Sequence, residues 1–493
     1  MSVAVILGAS SRALFLSRLF VGCAVLLAQA PAWANPFELF GASPRAAALG
    51  QTMAARPGDW SALWSNPAAM AGAAPAMGMG TLFAVDRVGV ALKPRPAGYD
   101  LPDMGSNSPQ IPSKYRLQAR SGGDELPNLS EFLMGATGSF GLSDLRFGVA
   151  VALPMTRLGM QASHFADERE QYASNRLDFE LLGARTQHQV ILIGLAYQPL
   201  TWLAVGAAMS VMPSGKAVSD VYLDEPARQQ DVRLSVQNEQ VGRLAPILGL
   251  HLRPGARWRG GVSYRAANHF DLSVQNRIQI NGFQGDPKVF PVVQQVGFVL
   301  NYTPDQVDVG VAYTADKWHL AADGVWSRWS QYLDTQGERP NPAFRDTWAV
   351  RLGAEYQAAA GRKLRAGVQW EPSPVPDQTG RTNHIDNDRA VASVGGGHPF
   401  VVFAKPVELG WMVGLHQLLS RDTNKQPEGA YPLCTAPPGS AQLCDEVDDS
   451  TTHPTTGQPQ AAAKGLQTGN PGFPGFASFG QLFVFGVDLR WQL

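Results

Sequence analysis

Charge is scarce in this sequence. Only 16% of its 493 residues are Asp, Glu, Lys or Arg, against about a quarter in an ordinary soluble domain. Cysteine is scarcer, with three in the chain, which excludes a disulfide-dense scaffold. Beyond the N-terminus no apolar run is long and regular enough for a transmembrane helix. The nearest candidate, Ser61 to Val85, is uncharged but interrupted by Pro67, Gly72, Pro75, Gly78 and Gly80, which spoil a spanning helix. Mean hydropathy is −0.11, too low for a helical membrane protein. Formal net charge is −1, which gives no reason to expect nucleic acid as a partner. The chain has no G-x-S-x-G and no H-E-x-x-H motif, and its nine histidines are scattered. That weighs against a hydrolase or a zinc site; no catalytic residue, metal site or cofactor is expected.

Glycine (51 residues) and proline (36 residues) are abundant. Low charge, near-neutral hydropathy and much glycine suit a membrane β-barrel, whose strands are apolar on one face only. They also suit a Gly/Pro-rich secreted protein, so the N-terminus matters. Arg12 and Arg18 precede an apolar stretch, LFVGCAVLLA, which is followed by Ala32-Trp33-Ala34. This reads as a signal peptide over residues 1–34 with cleavage after Ala34. The apolar run continues past Cys23, which argues against a lipoprotein site. The two later cysteines, Cys434 and Cys444, lie ten positions apart in an exported chain. They read as a disulfide closing a small loop, with two free thiols as the alternative. The acidic run DEVDD beside them reads as solvated rather than as a calcium site.

The last eleven residues, FVFGVDLRWQL, alternate strictly. Phe483, Phe485, Val487, Leu489, Trp491 and Leu493 share one face, in a strand of the length that crosses a bilayer when tilted. From Met77 onward fourteen segments have this character. In KWHLAADGVWSRWSQY, Trp318, Leu320, Ala322, Gly324 and Trp326 fall on one face and His319, Ala321, Asp323 and Ser327 on the other. The first face suits lipid between two aromatic girdles, and the second suits a lumen. The connections also sort by length. GLSD, QPLT, RPGAR, TADK and QAAAG are short, whereas about 87–128, 154–180, 372–388 and 421–477 are long. Outer-membrane barrels show this asymmetry. The fold expected is all-β: an antiparallel transmembrane barrel of about fourteen strands over residues 77–493. Its last strand would pair with its first, because lipid tolerates no open edge. The Ala-rich segment 35–76 is too small to fold alone and is expected as a partly helical plug.

Several stretches, in order, resemble the FadL/TodX family of outer-membrane transporters for hydrophobic compounds. They are Asn66-Pro67-Ala68 in GDWSALWSNPAAM, then VWSRWSQY, then LGAEY, RAG, SPVPD and DNDR between Leu352 and Arg389. The resemblance implies a fourteen-stranded barrel plugged by an N-terminal hatch, exported to the outer membrane of a Gram-negative bacterium. It implies a monomer, surrounded by outer-membrane lipid and inserted by the barrel assembly machinery. The implied cargo is a hydrophobic small molecule, a long-chain fatty acid first and an aromatic hydrocarbon as the alternative. It would be captured outside, held in an apolar lumenal pocket and released sideways near a kinked third strand. Asn66, Pro67 and Ala68 match the hatch motif, and an Asn-Pro step is also an ordinary turn initiator. Pro154 either breaks the third strand or simply ends it. Phe37 and Phe40 either reach the ligand or anchor packing. Arg265 and Arg365 are barrel-strand cations available to a ligand carboxylate, unless acids such as Asp271 or Glu355 neutralise them. The connections near 213–230 and 281–291 read as short for a capture groove, leaving Phe290 as the apolar residue of the second. A general porin, an outer-membrane enzyme and a surface receptor are the competing classes.

Overall fold

The computed structural model describes residues 36–93, 119–121, 129–155, 165–166, 176–179, 189–212, 214–225, 230–281, 292–334, 337–377, 384–425, 472 and 474–493. Fourteen antiparallel strands close into a barrel. In chain order they are β1 (Ala76–Leu92), β2 (Leu129–Gly138), β3 (Leu145–Pro154), β4 (Val190–Leu200), β5 (Leu203–Val211), β6 (Leu244–Leu252) and β7 (Trp258–Arg265). Then come β8 (Gln306–Ala315), β9 (Trp318–Ser327), β10 (Thr347–Gln357), β11 (Lys363–Glu371), β12 (Arg389–Val402), β13 (Lys405–Asn424) and β14 (Gly475–Gln492). Each pairs with its neighbour in sequence. Closure comes from β14 against β1, in register from Ala76↔Gln492 to Leu92↔Phe476. No helix among the described residues is long and apolar enough to span a membrane.

The alternation read from the sequence sorts the two faces. Phe483, Phe485 and Val487 are exposed on the outer wall, while Val484, Gly486 and Asp488 between them are buried. On β9, Trp318 and Leu320 are exposed and Ala321 and Asp323 buried. Cross-strand aromatic pairs sit near the end with the short turns: Trp258 with Tyr313 at 4.7 Å and Trp318 with Tyr356 at 4.8 Å between ring centres. Trp348 and Trp370 are exposed at the opposite end. These are the two girdles expected where lipid meets water. Both barrel termini lie at the short-turn end, and in outer-membrane barrels the short turns face the periplasm.

One expectation is corrected. The connections after β5 and β7 are neither short nor irregular. Gly215–Glu225, Gln230–Val241, Asn268–Asn281 and Val292–Thr303 form a separate four-stranded antiparallel sheet that carries β5 to β8 outward. The stretch RWRGGVSYRAANHFDLSVQ (Arg257 to Gln275) alternates throughout but is divided between two strands, with Ala266-Ala267 between them. By register Val236, Leu272, Val274, Val296, Phe298 and Leu300 share one face of this sheet, opposite Asp271, Ser273, Gln275 and Gln295. Phe290, Cys434 and Cys444 lie outside the described residues.

The barrel interior is filled by residues 36–75. Short helices Pro36–Phe40, Pro44–Ala48 and Ala62–Ser65 and a 3-10 turn, Pro67–Gly72, form this hatch. Phe37, Ala48, Leu49, Met53, Trp60, Leu63 and Met70 are all at or below 2% exposure. Such a small segment gains its buried area from the wall rather than from itself.

Candidate transport path

The hatch touches the wall differently on its two sides. Around β6 to β10 the contact is polar. Asp323 accepts from the Ala54 amide at 3.0 Å. The Arg56 guanidinium donates to the carbonyls of His319 and Gly353 at 2.8 and 3.2 Å, and burial lowers its pKa to about 10. Ser263 donates to the Ser65 carbonyl at 2.6 Å. At the periplasmic end Arg490 donates to Asp59 at 3.2 Å. Burial alone would raise the Asp59 carboxyl. Arg490, Arg45 and two hydrogen bonds from Ser61 outweigh it and hold the group low.

Around β13, β14, β1, β2 and β3 the contact is apolar above the periplasmic rim. Trp60 lies against Gly135, Leu63 and Met70 against Gly148, and Pro44 against Gly486. Above the hatch this wall carries Leu82, Val88, Val90, Leu129, Leu133, Leu418 and Leu482 in one buried cluster with Phe37 and Phe40. The short helix Pro36–Phe40 divides the lumen. Phe37 meets Trp64 edge-on at 5.7 Å and Phe40 lies 5.5 Å from the His416 ring. Glu38 faces the other side, where Gln306 donates to it. Burial raises the Glu38 carboxyl, against the pull of Arg265.

That other side holds a cavity of about 850 Å³, open mouth included, between the hatch helix and the outer ends of β8 to β12. Glu38, Gln306, Glu371, Asp386, Asn387 and Arg389 line it with Leu39, Tyr302 and Trp329. Tyr302, Trp329, Tyr332, Phe344 and Val375 form an aromatic cluster on its outer side, with Tyr332 and Phe344 stacked at 4.3 Å. The polar side chains are largely committed to each other. Glu371 pairs with both Arg351 and Arg389.

Each residue singled out in the sequence now has a place. Asn66 accepts from the Ala68 amide at 3.1 Å, capping the turn that Pro67 begins. Its amide donates to the carbonyls of Ala54 at 2.7 Å and of Leu250 in β6 at 2.9 Å. The motif is thus a clamp between two hatch segments and the wall. Phe37 and Phe40 lie in the apolar cluster. Arg265 stacks 3.6 Å from the Trp64 ring centre, donates to the Trp64 carbonyl at 3.2 Å and bonds Gln306. Arg365 is spoken for by Glu355 and Glu408, at 2.8 and 2.6 Å; Asp271 pairs with Arg243 instead. Pro154 ends β3. The described ladder from β3 to β4 is continuous from Leu145↔Tyr197 to Ala152↔Val190.

The SPVPD and DNDR segments prove to be halves of one device. Asp388 accepts from the Ser373 amide at 2.8 Å. Arg421 of β13 donates to Asp377 and to the Val375 and Asp386 carbonyls. Asn387 reaches across to Ser478 of β14 at 3.0 Å. Together they fold a rim over the lumen. Glu131, which no motif in the sequence singles out, is with Asp86 a buried acid of the apolar wall. The alternation of EFLMGATGSF already puts it on the face of Leu133 and Gly135.

The model of outer membrane protein transport proteins (OMPP1/FadL/TodX) matches residues 195–405. The chain resembles the FadL/TodX family in both sequence and fold. It is 24% identical over 246 residues to the alkane uptake protein A of Marinobacter nauticus, covering 45% of this chain and 53% of that protein. It is 23% identical over 173 residues to a long-chain fatty acid transport protein of Salmonella typhi, covering 30% and 40%. The chain thus spans about half, or less, of the curated relatives it matches. Among solved structures, a Pseudomonas aeruginosa FadL homologue superimposes with TM-score 0.56 at 15% identity, covering 94% of this chain and 98% of that one. The Pseudomonas putida toluene transporter TodX gives 0.52 at 13% identity, covering 92% and 99%. These superpositions carry the barrel fold.

Proposed function

We propose that this protein sits in the outer membrane and lets hydrophobic molecules, long-chain fatty acids or hydrocarbons, diffuse inward without catalysis. The observation that carries the reading is the apolar lumenal wall of β13, β14 and β1 to β3 above the hatch. A barrel that passes hydrophilic solutes keeps its interior polar and wet. An apolar inner wall has a use for solutes that gain by leaving water. The resemblance to an alkane uptake protein and a fatty acid transport protein supports the same class.

The cargo enters past the external sheet and the aromatic cluster. It rests against Phe37 and Phe40, and the hatch clamped by Asn66, Pro67 and Ala68 blocks its way straight down. Release is sideways into the membrane at the outer end of β3. Pro154 has no amide hydrogen and ends β3 opposite Glu131 of β2. The molecule works as a monomer in lipid, placed there by the barrel assembly machinery after removal of residues 1–34.

Uptake of radiolabelled oleate and toluene by cells lacking their own transporter tests this. Expression is expected to raise uptake of at least one of them. Passage of small sugars with neither hydrophobic solute entering would leave an ordinary porin.

A further inference from the structure

The apolar wall contains one group that its surroundings leave unanswered. Glu131 of β2 is fully buried, and neither carboxyl oxygen has a hydrogen-bond partner. Its register partners are Leu82 on β1 and Pro154 on β3. The next inward residues of its own strand are Leu129 and Leu133, both buried. A second inward acid, Asp86 on β1, is also buried with an unpartnered oxygen. Cations are missing from this sector. Among the described residues none faces inward from β14, β1, β2 or β3 between Arg146 and Arg490 at the periplasmic end and Lys93 at the outer rim. Leaving a buried carboxyl unbonded is costly, and the rest of the wall shows that leucine is tolerated beside it.

We infer that Glu131 is the polar contact of a lumenal binding site for an uncharged, hydroxyl-headed apolar chain, such as a long-chain alcohol. This rests on the hydrophobic-transport reading above and sets an uncharged alcohol ahead of the fatty acids and hydrocarbons named there. A hydroxyl both donates and accepts, so it satisfies a carboxyl in either protonation state. An ionised fatty acid head at Glu131 would find no inward cation among the described residues of these strands, and against an ionised Glu131 it would set like charges in an apolar site. An ammonium head would complement the carboxylate, but bringing a full charge into this wall costs more than bringing a hydroxyl. The plain hydrocarbon fits the wall and leaves Glu131 unbonded.

Uptake of radiolabelled hexadecane, hexadecanol, palmitate and hexadecylamine by cells expressing the full-length protein compares four heads on one chain length. Hexadecanol is expected to enter about tenfold faster than palmitate, the equivalent of one net hydrogen bond. In Glu131→Leu, with folding checked by heat-modifiable migration, hexadecanol uptake is expected to fall to the hexadecane rate. Glu131→Gln keeps an acceptor and a donor and retains most of the preference. If palmitate or hexadecylamine outruns hexadecanol in the wild type, the inference is overturned and transport stands. An unchanged hexadecanol rate in folded Glu131→Leu overturns it equally. Failure of all four chains to enter sinks the transport reading as well. The wild-type ranking needs no variant, so a Leu variant that does not fold leaves the test intact.

Discussion

Asn66 shows how much one side chain can hold. Its oxygen caps the turn at Pro67, and its nitrogen ties Ala54 and Leu250 together. In Asn66→Ala the cap is lost and buried carbonyls lose their donor, at a cost of about 2–4 kcal/mol. Amide exchange over residues 54–70 should then accelerate roughly 30- to 1,000-fold. Unchanged protection would mean that the clamp is redundant. Asp386 makes a pH-dependent case in the rim outside the spanning strands. Burial dominates there and raises its carboxyl from the usual 3.8 to about 6, against the hydrogen bond from Ser373 and the nearby Arg389. The folded chain therefore holds the proton more tightly than the unfolded one. Asp386's contribution is fully present below about pH 3.8 and is lost as pH rises through 6. Protection of segments 372–377 and 384–388, corrected for intrinsic exchange, should fall by up to about a hundredfold between pH 4 and 7. Asp386→Asn should flatten that profile; a slope that survives the substitution would assign the effect elsewhere.

At the scale of elements, the hatch fits because facing glycines let its backbone approach the wall. Gly353 and Gly367 pair across β10 and β11, and Gly50 lies on them: a Cβ at Gly367 would come within 2.0 Å of the Gly50 nitrogen. Gly206 and Gly249 pair across β5 and β6 beneath Asn66, Pro67 and Ala68, where a Cβ would fall 2.2 and 2.1 Å from hatch atoms. The glycines noticed only as bulk composition are therefore a docking surface. Gly367→Val cannot be absorbed by a side-chain shift, because the obstacle is backbone. It should unseat the hatch and open the barrel, raising single-channel conductance in planar bilayers and sensitivity to bulky antibiotics. Gly324→Val on the outward face meets nothing within 4 Å and should do neither. If both variants behave alike, the glycine contacts do not seat the hatch.

At the scale of the molecule, the barrel is a two-sided vessel. Above the rim, the hatch is hydrogen-bonded to one half and packed by apolar contact against the other, and the proposed path follows the apolar half. Strand alternation made the fourteen crossings, the lipid face and the sorting of short and long connections legible, because parity along a strand is a local property. It also placed Glu131 on the lumen side, although the residue drew no notice until its neighbours were known. The external sheet was not legible in the sequence, because its strands alternate as the barrel strands do and only their pairing separates them from the wall. The partners of Arg265 and Arg365 were out of reach for another reason. Trp64, Gln306, Glu355 and Glu408 come from different strands and from the hatch, and only closure of the barrel brings them together. The sequence by itself determined which residues face lipid, which face inward and where the chain turns. The tertiary structure decided which inward residues meet, which charges are neutralised and which carboxyl is left without a partner, because those depend on contacts between segments far apart in the chain.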